Sequence, residues 1–122
     1  MKLPTLKIGD ITVKVPIIQG AMGIGVSMSR LAAAVANEGG IGVISGAQTG
    51  LMEPDFRINN NSANINGLIK EIRKARELSP NGIIGVNFLT AAVNNYVELV
   101  TAAVKEKVDL IISGAGLPKN LP

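Results

Sequence analysis

The chain has 122 residues, a net charge of +3 and an apolar fraction of 47%, yet Phe, Tyr and Trp together supply only 2%. That length allows one domain with a core, and the shortage of aromatics means a core of Ile, Val, Leu and Ala, which suits strands buried on both faces under helices and excludes a base-stacking nucleic-acid platform. With no cysteine and no histidine, disulfides, thiol catalysis and Cys-ligated metals are excluded, and the commonest general base and transition-metal ligand are missing. Residues 6–13 alternate around Gly9-Asp10 and predict a small β-hairpin. The hairpin precedes the first core strand, a position from which it can cap the base of a larger sheet or barrel.

Residues 15–19 are short and apolar and predict a buried strand. Gly20-Ala21-Met22-Gly23-Ile24-Gly25 follows as a turn with three glycines, and Ser27 and Ser29 offer N-caps to an alanine-rich helix over about 30–38. Strand, glycine turn and helix start together present backbone N–H groups to an anion or a cofactor ring. Leu31, Ala34 and Val35 share one face of that helix, and Gly39-Gly40 ends it.

Residues 41–45 predict a second strand, with the loop Gly46-Ala47-Gln48-Thr49-Gly50 at its C-terminal end. Residues 51–66 are polar and irregular and read as a long loop of the functional or mobile kind. Ile65, Leu68, Ile69, Ile72 and Ala75 mark the apolar stripe of a second helix ending near Leu78. Its basic residues Lys70, Arg73, Lys74 and Arg76 are interleaved with Glu71 and Glu77, a solvated face rather than a phosphate patch. Residues 83–88 predict a third strand. Tyr96, Val97, Val100 and Val104 predict a third helix over 95–107, and residues 108–113 a fourth strand before the loop Gly114-Ala115-Gly116.

The order βαβαβαβ fits either a doubly wound open sheet or a (β/α)8 barrel. Small or polar groups follow each strand: Gly20-Ala21, Ser45-Gly46, Asn87 and Ser113-Gly114. In a barrel these would ring one mouth, where active sites are built. A barrel takes about 250 residues, so residues 1–122 are expected to form the N-terminal half of a single (β/α)8 domain. The N-terminal residues show no signal-peptide run, and no segment reaches the ~18 uninterrupted apolar residues of a membrane span. A soluble, cytoplasmic protein is the expectation.

The glycine turn is not a P-loop, because no Gly-Lys-Ser/Thr follows, and its spacing Gly20-x-x-Gly23-x-Gly25 is not the dinucleotide fingerprint. A tight structural turn and a cofactor contact both remain open on these residues alone. Pro16-Ile-Ile-Gln-Gly-Ala-Met-Gly-Ile-Gly25, followed by Leu31-Ala-Ala-Ala-Val-Ala-Asn-Glu-Gly-Gly-Ile-Gly-Val-Ile-Ser45, resembles the nitronate monooxygenase family, formerly the 2-nitropropane dioxygenases. Gly85-Val-Asn-Phe88 and Ile111-Ile-Ser-Gly-Ala-Gly-Leu-Pro118 resemble the same group, whose barrel and signature the FMN-dependent enoyl-acyl-carrier-protein reductases share.

The resemblance implies a TIM barrel that binds FMN. By position, Gly20, Ala21, Met22 and Gly23 would lie against the flavin ring, and Asn87 would meet its polar edge. Ser113, Gly114 and Ala115 would line the mouth, with Gly46 and Gln48 as further contacts. It also implies oxidation of alkyl nitronates by O2 to a carbonyl compound and nitrite, or, as the alternative, enoyl-thioester reduction with NAD(P)H. The histidine base used on neutral nitroalkanes and the phosphate-gripping loops after strands seven and eight would lie outside this chain, so no catalytic residue and no metal ligand is assigned within it. The expected partners are a small-molecule substrate and the other half of the barrel or a second copy, with neither nucleic acid nor membrane. A reading of another class is a half barrel with no activity of its own.

Overall fold

The computed structural model describes residues 3–91, 95–119 and 121. A hairpin comes first: β1 (Leu6–Ile8) pairs antiparallel with β2 (Ile11–Val13), and Gly9 turns the chain at φ +55°. Helices and strands then alternate as α1 (Ser29–Asn37), β3 (Ile41–Ser45), α2 (Asn60–Leu78), β4 (Ile83–Leu89), α3 (Tyr96–Lys105) and β5 (Leu110–Gly114). β3, β4 and β5 form a parallel sheet in that order. Each crossover therefore places the next strand beside the last, and the described strands show no reversal of the kind a doubly wound sheet needs.

The predicted first strand is a correction. Residues 17–19 lie beside β3 through a single parallel bridge, Ile18 to Ile41. Ile41 N–H donates to the Ile17 carbonyl, and Gln19 N–H donates to the Ile41 carbonyl. On one side Ile17 N–H donates back to the Val15 carbonyl instead of extending the ladder, and on the other the chain departs at Gly20. The Gln19 side chain continues where the backbone stops: its Oε1 accepts from Val43 N–H at 3.2 Å.

Strand alternation sorts the core into two clusters. Ile44, Ile84, Val86 and Phe88 pack with Ala32 and Ala36 of α1, Leu68, Ile72 and Ala75 of α2, and Leu99, Val100 and Ala103 of α3. All three helices thus share one face of the sheet. Ile41 and Val43 point to the other face, where they meet Val13, Leu6, Ile8 and Ile11 of the hairpin and Ile83 and Leu110 at the strand starts. The hairpin closes the N-terminal end of that face. Fully burying a side chain of the size of Val, Leu, Ile or Phe is worth about 1.5–3 kcal/mol, so these two clusters carry the fold. Tyr96 stands edge-on to Phe88, with ring centroids 6.0 Å apart.

Three helical details differ from the periodicity reading. α1 buries Ala32, Ala33 and Ala36, whereas Leu31 and Ala34 face outward. The reason is close approach: a Cβ at Gly42 would stand 1.8 Å from the Ala32 carbonyl oxygen, so the helix rests on the strand through its smallest side chains. α2 starts at Asn60, so the asparagine run is a helix start and not the end of a loop. Asn59 caps it by accepting from Ser62 N–H. α3 buries Tyr96, Leu99, Val100 and Ala103, leaving Val97 and Val104 exposed. The fourth strand runs Leu110–Gly114, two residues later at its start than predicted.

Candidate functional site: a cavity at the strand tips

The C-terminal ends of β3 and β4 open into a cavity of about 510 Å3, within the range of about 300–1,000 Å3 usual for small-molecule sites. Ser45, Gly46, Ala47 and Gln48 line it from the end of β3, and Asn87 and Leu89 from the end of β4. Ala21, Gly23 and Ile24 close it on one side, and the first turns of α2 and α3 close it on another. Ser45 and Asn87 are register partners, and Gly46 N–H donates to the Asn87 carbonyl at 2.8 Å, so the two tips are locked together. Their small residues are required by the packing: a Cβ on Gly46 would strike the Phe88 ring at 2.5 Å, and one on Gly23 would meet Ser45 Oγ and Ala47 Cβ at 3.1 Å. Gln48 holds φ at +49°, an uncommon conformation for a residue with a side chain, at the rim of the cavity.

The glycine turn is held by Ser27. Its Oγ accepts from Met22 N–H at 2.9 Å, its N–H donates to the Met22 carbonyl, and its own carbonyl accepts from Ser45 N–H. The expected helix caps therefore act elsewhere. Ser27 staples the turn to the β3 tip, and the residue before α1 is Met28, which makes no capping bond. Ser29 N–H, in the first turn of α1, instead donates to Glu71 Oε2 of α2 at 2.8 Å. The positive end of α1 is thereby filled by the protein's own carboxylate. The turn cannot serve as a phosphate cradle at this helix, and what it offers the cavity is a close backbone and the small groups of Ala21 and Gly23.

Of the residues singled out in the sequence, Ala21, Gly23, Gly46, Gln48 and Asn87 meet in this cavity. Gly20 and Met22 lie outside its lining, and the Met22 side chain is 62% exposed. Ser113 points to the helix face, where its hydroxyl is 2.7 Å from the Tyr96 hydroxyl. Gly114 follows on β5 next to Asn87, 3.9 Å from Asn87 Oδ1 for a Cβ at that position. Thr90 N–H and Ala91 N–H tie down the Gly114 and Ala115 carbonyls. Sequence reasoning missed Asn60, Asn61, Asn64 and Asn95. The available signal was Asn59 as an N-cap three residues before Ser62, which turns a polar run into a helix start. Asn64 secures the β3 loop: its Oδ1 accepts from Gly50 N–H, its carbonyl from Thr49 Oγ1, and its Nδ2 donates to Asn60 Oδ1.

Three of the basic residues of α2, Lys70, Arg73 and Arg76, are engaged on the protein surface. Lys70 pairs with Glu53, Arg73 with Glu106 through two bonds of 2.7 and 2.8 Å, and Arg76 with Asp109. The bond from Arg73 lowers the Glu106 carboxyl below its ordinary 4.5.

The family model for nitronate monooxygenase matches residues 5–121. The chain belongs to the nitronate monooxygenase family. A comparison with curated proteins gives no match. Membership carries an oxidoreductase assignment for the family domain. The family is generally flavin-dependent, and a flavin is a planar group. Glycine and alanine at the turn and strand tips let backbone approach a flat ring closely, and Asn87 stands at the strand tip inside the lining. No helix among the described residues is long and apolar enough to cross a membrane.

Proposed function

We propose that the chain is the flavin-holding part of an FMN-dependent nitronate monooxygenase with a TIM-barrel architecture. The observation that carries the reading is the meeting of Ala21, Gly23, Gly46 and Asn87 in one cavity at the strand tips. The sequential strand order and the placement of all three helices on one face support a barrel over an open sheet. FMN, when bound, supplies the redox chemistry, taking electrons from an alkyl nitronate and passing them to oxygen to give a carbonyl compound and nitrite. The chain's own groups bind and orient. The Ala21–Gly23 segment gives a ring-sized apolar floor, the Asn87 amide hydrogen-bonds a polar ring edge, and Gln48 limits access at the rim. Gly114 and Ala115 belong to the same mouth in this reading, one strand further round, whereas Ser113 faces the helices through its contact with the Tyr96 hydroxyl.

No histidine occurs in the chain, and no proton-abstracting base is assigned within it. The edges of the sheet at residues 17–19 and at β5 are taken up by the second half of a barrel or by a second copy. The flavin-loaded protein tests the substrate class. Anaerobic addition of an alkyl nitronate lowers the flavin absorbance near its visible maximum, and NAD(P)H alone does not. Loss of absorbance with NAD(P)H and reoxidation by a crotonyl thioester would instead assign an enoyl-thioester reductase.

A further inference from the structure

Residues 20–25 touch the rest of the molecule sparingly. Gly23 lies against Ser45 and Ala47, whereas nothing stands within 4 Å of a Cβ placed on Gly20 or Gly25. Among the described residues, the hydrogen bonds of this segment are the two between Met22 and Ser27. Met22 N–H donates to Ser27 Oγ at 2.9 Å, and the Met22 carbonyl accepts from Ser27 N–H at 2.9 Å. Ser27 is itself anchored: its carbonyl accepts from Ser45 N–H at 2.8 Å, and Ser45 is the register partner of Asn87. A single residue therefore ties the Ala21–Gly23 backbone to the tips of β3 and β4. Ser27 is 1% exposed and takes no part in the cavity lining, so it acts on a ligand only through the turn.

We propose that Ser27 is a positioning residue for the planar cofactor, its hydroxyl holding residues 21–23 in the form that receives the ring before any ring is present. This role rests on the flavin reading of the cavity. Its physical basis is preorganisation: a backbone already fixed loses little freedom on binding, whereas a loose turn must be ordered at the expense of affinity. Of the two bonds between Met22 and Ser27, only the one to Oγ depends on the serine side chain. Ser27→Ala removes that acceptor and leaves the Met22 amide without its partner.

The test compares the unaltered protein with Ser27→Ala. FMN affinity is read from quenching of flavin fluorescence, and the turn from hydrogen exchange at the Met22 amide. In the unaltered protein without FMN, the Met22 amide should show protection about tenfold above that of the Gly20 and Gly25 amides. Ser27→Ala should lose that protection and bind FMN about three- to tenfold more weakly, the range set by one net hydrogen bond. A serine of purely structural importance would lower the urea midpoint of Ser27→Ala and leave FMN affinity unchanged, and that result would overturn the proposal alone. Should Ser27→Ala not fold, exchange in the unaltered protein decides. Protection of Met22 before FMN is added supports the proposal, and protection that arises only on adding FMN overturns it. Absence of FMN binding by the unaltered protein would overturn the flavin reading, and the cofactor role of Ser27 with it.

Discussion

Gly42 shows how far a single atom decides this architecture. It lies in the middle of β3, where a Cβ would fall 1.8 Å from a backbone oxygen of α1. Gly42→Ala must therefore lift the helix that follows the glycine turn. Overpacking of this kind costs about 1–3 kcal/mol, and a urea midpoint lowered at unchanged slope would measure it. The glycine itself was plain in the sequence, but its partner was not. Periodicity placed Leu31, the largest apolar side chain of α1, on one face with Ala34 and Val35, whereas the sheet accepts the alanines Ala32, Ala33 and Ala36 at that distance. The same limit applies at the site. Gly23, Gly46 and Asn87 were legible as small or polar groups ending apolar strands, because strand ends follow from local pattern. Asn95 was not legible, because its burial depends on where α2 and α3 converge.

Glu71 has an equivalent role for a whole element. α1 has no capping side chain of its own, and a carboxylate from α2 accepts from its first-turn N–H. Glu71→Ala should cost about 0.5–2 kcal/mol, as loss of a cap does, while Glu71→Gln keeps the acceptor and loses less. Urea titration of both variants checks the order. The α2–α3 connection has a pH signature. The Arg73 hydrogen bond depresses the Glu106 pKa in the folded state. The pair's contribution is present above the ordinary carboxylate value of 4.5 and is lost as pH falls through the lowered folded value. Glu106→Gln should therefore flatten the acid side of the stability profile and leave neutral pH little changed, since Arg73 is well exposed and surface pairs contribute little. Boundaries of the elements were read well where caps are local, as at Ser79 and Gly39. They were read poorly at residues 51–66, where an asparagine run is equally at home in a loop and at a helix start.

At the scale of the molecule, three helices on one face of a sequentially ordered parallel sheet leave two strand edges to be paired. Ile17, Ile18, Ile24 and Val26 stand exposed around the glycine turn. The chain studied alone should therefore sediment as more than a monomer and hold FMN at less than one equivalent, whereas a yellow, active monomer would contradict the half-barrel account. The βα alternation made the fold class legible in advance. The small and polar strand tips pointed to a barrel, but which face each helix takes was not legible, because it depends on contacts between distant elements. The most direct test of the central claim is backbone amide shift mapping of the 15N-labelled chain with excess FMN. The account predicts the largest shifts at Ala21, Gly23, Gly46 and Asn87, with the N-terminal end of α1 unmoved. Shifts concentrated at the Ser29–Glu71 contact, or spread over the α2 surface away from the strand tips, would contradict it.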